Sequence, residues 1–167
     1  HDDAWIDMHD DPQWLDDDRY FTWLSERDGW RHLYLVSRSG EEERLVTIGD
    51  YDVTKLVHVG DAGSWAYVMA SPEDSTSRYL YRVPLSGDGT LERVAPTGPA
   101  GTHSYQTSDD GRWAIHTFSS REHAPRTDLV SLPDHTVRRV LEDNAKVQAS
   151  FDAAATSPVE TFRVGIA

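Results

Sequence analysis

Cysteine is absent from the 167 residues, which removes disulfides and thiol chemistry and leaves the cellular compartment open. Long apolar runs are absent as well. None approaches the roughly 20 residues that a helix needs to cross a bilayer, so no membrane span is expected. No Lys/Arg-led apolar segment stands at the N-terminus, and no signal peptide is visible there. Positive charge is scarce: 16 Lys and Arg face 29 Asp and Glu, for a net charge of −13. Nucleic-acid binding relies on clustered cations that displace counterions from phosphates, so no nucleic-acid partner is expected. The same charge disfavours an anionic membrane surface.

What is present is a folded protein's composition, 38% hydrophobic with six Trp, in a chain long enough for a real core. Residues 20–37, YFTWLSERDGWRHLYLVS, read as two strands around a polar turn. Tyr20, Phe21 and Trp23 make the first strand aromatic, and Leu33, Tyr34, Leu35 and Val36 make the second apolar. Between them Asp28-Gly29 suits a turn, because Asp bonds its own backbone and Gly tolerates positive φ.

This design returns twice. An acidic turn (Asp16-Asp17-Asp18, Asp61-Ala62-Gly63, Asp109-Asp110-Gly111) precedes a β-prone run at 20–24, 65–69 and 113–118. Each run is followed by Ser: Ser25, Ser71 and Ser119, which lie 46 and then 48 positions apart. Second runs follow at 33–36, 80–83 and 129–132. Third runs follow at 44–48, 91–95 and 137–141, after turns at Ser39-Gly40, Gly87-Asp88-Gly89 and Pro133-Asp134-His135. A further strand is expected before the second and third acidic turns, at 55–59 and 104–107. Four short antiparallel strands per 40–50 residues is the mark of propeller blades. A sandwich has similarly spaced strands but needs no internal repeat. The expected fold is therefore an all-β β-propeller fragment of about three four-stranded antiparallel blades with an incomplete ring. The blade units fall at roughly 14–48, 55–95 and 103–142, and 143–167 forms a linker. Residues 144–155 are the one segment suited to a short helix. Three blades cannot close a ring, since propellers use about 4–8. The abrupt His1-Asp2-Asp3 start and Val164-Gly165-Ile166-Ala167 end suggest a piece of a larger protein. Alternate positions of 20–24 and 113–118 should then carry apolar side chains on the two outer blade faces.

Candidate chemistry is thin. No Ser stands in the G-x-S-x-G turn of a hydrolase nucleophile, so no catalytic residue is assigned. His1-Asp2-Asp3 and His9-Asp10-Asp11 offer cation ligands but lack an EF-hand or H-E-x-x-H spacing, and read as a solvated acidic loop. Glu41-Glu42-Glu43 reads as a charged hairpin rim. His32, His58, His103 and His116 recur near strands without ligand spacing and read as interface or turn residues. No metal or cofactor is expected. Trp23, Trp65 and Trp113 occupy matching places in the repeat, where blade packing is a better reading than a carbohydrate or peptide groove.

The run Phe21-Thr22-Trp23-Leu24-Ser25-Glu26-Arg27-Asp28-Gly29-Trp30-Arg31-His32-Leu33-Tyr34 resembles the W-x-S-E-R-D-G-[WF]-x-H-L-Y signature of dipeptidyl peptidase IV-like serine peptidases, of the prolyl oligopeptidase clan. Val140-Leu141-Glu142-Asp143-Asn144 resembles the segment closing that family's last blade, and Pro158-Val159-Glu160-Thr161-Phe162-Arg163-Val164 the strand leading to its peptidase domain. The resemblance implies the C-terminal part of an eight-bladed N-terminal propeller that caps an α/β-hydrolase. Such enzymes remove N-terminal dipeptides with Pro or Ala second. It implies as partners the remaining blades, the hydrolase domain, a peptide substrate and a possible homodimer, in a periplasmic or extracellular setting. The family's catalytic Ser, Asp and His and its amine-binding Glu pair match no residue here, so the chain alone is expected to be inactive. A stand-alone propeller used as a binding or scaffold module is the alternative.

Overall fold

The computed structural model describes residues 12–15, 18–60, 64–86, 89–154 and 164. The His1–Asp3 and His9–Asp11 acidic runs, Asp16-Asp17, the Asp61-Ala62-Gly63 turn, Gly87-Asp88 and the 158–163 stretch lie outside the described residues.

The chain is an all-β propeller fragment of three four-stranded sheets, each an antiparallel meander. The first contains β1 (Trp14–Leu15), β2 (Tyr20–Ser25), β3 (His32–Ser37) and β4 (Glu43–Leu45). The second contains β5 (Val53–Val59), β6 (Trp65–Ala70), β7 (Tyr79–Pro84) and β8 (Glu92–Arg93). The third contains β9 (Thr102–Thr107), β10 (Trp113–Ser119), β11 (Arg126–Ser131) and β12 (Thr136–Glu142). A short helix, α1 (Ala145–Ala153), follows outside the repeat.

Local chemistry sets these hairpins. Gly29 has φ 97°, a region closed to side chains with a Cβ, and its N–H bonds the Glu26 carbonyl at 3.0 Å to turn β2 into β3. The ladder then runs without a break from Tyr20↔Ser37 to Ser25↔His32. The strands that close the first two sheets are shorter than the five-residue runs expected. β4 stops at Leu45 because the Thr47 hydroxyl accepts the Leu33 N–H at 3.0 Å, where a backbone carbonyl would otherwise sit. β11 starts at Arg126, ahead of the expected 129–132 run. Its polar opening still pairs with β10 because Asp128 is buried and ion-paired to Arg126 at 2.9 Å.

One core joins all three sheets. Leu33, Leu35 and Val46 meet the second sheet, whose Val53, Ala66, Val68, Leu80 and Val83 are fully buried. Tyr105, Ala114 and Val130 carry the core into the third. The blades are also joined by backbone. The Val53 N–H bonds the Arg31 carbonyl at 2.7 Å, and the His103 N–H bonds the Arg78 carbonyl at 3.2 Å. Arg31 and Arg78 open the matching runs RHLYLV and RYLYRV, 47 positions apart. That sharper repeat went unread in the sequence, and it marks the point where each blade receives the first strand of the next.

Candidate functional site

The signature hairpin is the first place to look for chemistry. Asp28 Oδ2 lies 2.8 Å from His32 Nδ1, and Asp28 Oδ1 accepts the Trp30 N–H at 3.4 Å. Partial burial works to raise the Asp28 carboxyl. The hydrogen bond and charge of His32, with the Trp30 N–H and Tyr34 hydroxyl, outweigh it, and Asp28 stays below the usual carboxylate range. Burial and the Asp28 charge push Tyr34 up to about 12. Arg27 stacks over the Tyr34 ring at 4.7 Å and ion-pairs with Glu43. Asp28, His32 and Tyr34 are thus used within their own hairpin, Arg27 reaches the next strand of the same sheet, and the Arg31 backbone reaches the second blade. His32, at 2% exposure, is a buried strand residue that braces the turn.

The Glu41-Glu42-Glu43 rim is exposed, with Glu42 accepting the Tyr20 hydroxyl at 2.8 Å. Among the described residues, no group of three or more His, Asp or Glu is arranged to hold a metal ion. Trp23 meets Phe21 edge-on at 6.2 Å, Trp65 lies half-buried beneath Arg82 at 4.5 Å, and Trp113 is 40% exposed. Each of the three Trp thus has different local surroundings. An open cleft of about 400 Å3 between the first two sheets is lined by Trp30, Asp50, Tyr51, Asp52, Glu73 and Arg78, among others. Much of its acid is already engaged. Asp52 accepts the Arg31 N–H at 2.8 Å, and Glu73 pairs with Arg93 at 2.5 Å.

A denser constellation sits in the third blade, where Tyr79 of the second packs on His103. The antiparallel register sets His116 opposite Tyr105 and Phe118 opposite His103. His103 Nδ1 and His116 Nε2 approach to 2.8 Å, with the rings nearly coplanar at 11°. His135, in the β11–β12 turn with φ 51°, bonds the Tyr105 hydroxyl at 2.9 Å and packs edge-on against His116. Burial holds His103 down to about 4 and His116 to about 3, with further lowering from His135. Burial raises the Tyr105 phenol. The sequence offered no ligand spacing for these histidines. They meet because strand pairing makes neighbours of residues 13 apart, a signal carried by register and not by motif. His135 was passed over as part of a turn.

A Ser–His contact does occur, between Ser120 Oγ and His123 Nδ1 at 2.9 Å. Ser120 Oγ also accepts the Glu122 and His123 N–H groups, which makes it a turn-forming hydroxyl and not a raised nucleophile.

Comparison with known proteins fixes the lineage. Residues 1–125 match the dipeptidyl peptidase IV (DPP IV) N-terminal region. The chain belongs to the dipeptidyl peptidase IV family. A probable dipeptidyl peptidase 4 of Emericella nidulans is 38% identical over 147 residues, covering 88% of this chain and 19% of that protein. One from Aspergillus flavus is 30% identical over 132 residues, covering 79% of this chain and 17% of that protein. The crystal structure of Porphyromonas gingivalis dipeptidyl peptidase 4 superposes with a TM-score of 0.68 at 27% identity, over 78% of this chain and 18% of that one. The chain therefore spans about a fifth of the length of the relatives it matches. The signature hairpin, Asp28–His32 brace included, lies within the matched N-terminal region of the dipeptidyl peptidase IV family.

Proposed function

We propose that these residues form a non-catalytic propeller segment of a dipeptidyl peptidase IV-like serine exopeptidase, one that removes N-terminal dipeptides with Pro or Ala second. Its work is to wall the cavity above the catalytic domain and to gate which peptide ends reach it. Units 14–48, 55–95 and 103–142 serve as consecutive blades, and 143–167 leads toward the hydrolase domain. The partners are the remaining blades, the hydrolase domain and, transiently, the peptide.

The observation that carries this reading is the family match at residues 1–125, together with a signature hairpin whose Asp28, His32 and Tyr34 bind one another and whose Arg27 pairs with the next strand. A catalytic Ser requires an adjacent general base and a raised hydroxyl. The Ser120–His123 contact supplies a neighbouring imidazole but no raised hydroxyl, because Ser120 Oγ is held in its turn by the Glu122 and His123 N–H groups. Release of a chromogenic amine from Gly-Pro and Ala-Pro substrates tests it. The 167 residues alone should give no turnover above buffer, whereas the full-length protein should turn over and be silenced by a Ser-directed inhibitor. Inhibitor-sensitive turnover by the 167 residues would refute the non-catalytic assignment. An inert full-length protein would favour a scaffold propeller.

A further inference from the structure

The first two blades hand the chain on in the same way. The Arg31 carbonyl accepts the Val53 N–H and the Arg78 carbonyl accepts the His103 N–H, so each receives the first strand of the next blade. The matching residue of the third blade is Pro125, a further 47 positions along. Hydrogen bonding bears out the match. Seven residues on from each, the N–H groups of Arg38, Leu85 and Leu132 bond the carbonyls of Arg19, Ser64 and Arg112, the residues just before β2, β6 and β10. Among the described residues, no strand docks at Pro125. Its chemistry also differs. Arg31 donates its N–H to Asp52, and Arg78 donates its own to the Gly101 carbonyl. Pro125 has no N–H and offers a carbonyl alone.

Two side chains stand where that strand would be. Asn144 Nδ2 donates to the Pro125 carbonyl at 2.6 Å. One turn further along α1, Gln148 Oε1 accepts the Ala124 N–H at 2.8 Å, and Gln148 Nε2 donates to the Glu122 carbonyl at 3.0 Å. Asp152 also accepts from Gln148 Nε2, at 2.9 Å. A side-chain amide carries a donor and an acceptor as a peptide unit does, so the pair imitates a short length of ladder. Of residues 141–154, all are exposed except Asn144 and Gln148. Val147 and Phe151 are 43% and 45% exposed, so apolar burial does little to hold α1. At nine residues the helix is shorter than the roughly 12–15 that an isolated helix needs in water. Asn144, its N-cap residue, makes no capping bond, because φ is 50° there and the amide is spent on Pro125.

We propose that Asn144 and Gln148 form an end clasp, which closes the third blade where a following strand would dock and fixes α1 at the point where the chain leaves the blades. Pro125 completes the device by withholding the N–H that a docking strand would use. The occupant of this end of the blade is therefore a segment of the same chain, in contrast to the exposed outer face of β10. The clasp does not depend on the parent chain being a peptidase.

The test is amide hydrogen exchange on the native full-length protein at neutral pH. Asn144→Asp keeps the size of the side chain and removes its donor. Asp and Asn serve about equally as helix N-caps, so a capping role alone would leave α1 protected. The clasp instead predicts exchange about fivefold to tenfold faster in peptides covering α1 and residues 120–126, the loss expected for one net hydrogen bond. Gln148→Ala should act in the same direction on both segments. Gln148→Glu keeps the Oε1 acceptor, loses the donor and should fall between Gln148→Ala and the native protein. Peptides covering β6 should not change in any of the three. Unchanged α1 protection in Asn144→Asp or Gln148→Ala, or faster exchange in α1 with residues 120–126 unmoved, would overturn the clasp.

Discussion

Strands β6 and β10 hold the same place in successive blades, yet their surroundings differ. β6, WAYVMA, is apolar nearly throughout, and five of its six residues are buried. β10, WAIHTFS, alternates: Ala114 and His116 are buried, while Trp113 and Ile115 are 40% and 42% exposed. A sheet covered on both faces tends toward a continuous apolar run, and one covered on a single face toward alternation. The two strings thus encode how many neighbours each blade has in this structure. The exposed face of β10 is nonetheless apolar where alternation would put polar groups, and Leu129 lies directly opposite Ile115 across the ladder.

The sharpest way to break this comparison is to truncate one apolar side chain on each blade. Leu80→Ala in β7 removes a fully buried side chain from the middle sheet. It should cost about 2–5 kcal/mol, the range for a buried Leu whose cavity does not collapse. Ile115→Ala should cost less than about 1 kcal/mol, because much of that side chain already faces solvent. Chemical denaturation of both variants reads the difference. Equal losses would mean that the face of β10 is covered in solution.

A second comparison sets turn against sheet. Gly29 has open space where a Cβ would point, so no side chain would clash there. Its φ of 97° alone forbids Val. Gly29→Val should therefore cost about 1–3 kcal/mol through backbone strain and lower the melting temperature accordingly. An unchanged melting temperature would show that the β2–β3 turn is built differently.

Most of the blade architecture was legible before any coordinates. Repeated aromatic strands, turn residues and a period near fifty residues gave three meanders of four strands, and the 144–155 segment contains α1. Two kinds of feature were hidden. One is where side chains stand in for backbone: Thr47 ends β4, and the Arg126–Asp128 pair carries β11 through a stretch that reads as loop. The other is what register brings together. His103, His116 and His135 have no common spacing and meet only after β9, β10 and the β11–β12 turn are in place. The Asp28–His32 brace was more accessible, since both residues sit inside one short motif. Even so, the bond between them shows that the signature serves the hairpin.

The smallest energetic effect per residue concerns the face that β10 leaves open. Trp113, Ile115 and Leu129 share one side of the third sheet, and β12 beyond them is exposed at every residue. An apolar patch of a few hundred Å2 with an unpaired edge strand beside it tends to find a partner. At about 25 cal/mol per Å2, covering roughly 400 Å2 favours association by about 10 kcal/mol, before the costs of ordering and lost motion. The net charge of −13 works against it, and salt screens charge over about 10 Å at 0.1 M. The isolated 167 residues should therefore self-associate with rising concentration, and more strongly at high salt than at low. Light scattering across a concentration series at both ionic strengths measures this. Ile115→Asp adds a charge to the centre of the face and should shift the series toward monomer with little loss of stability. A monomer at all concentrations and both salt levels would mean that the face is not adhesive. Association unaffected by Ile115→Asp would move the contact elsewhere, with the β12 edge the next strand to test.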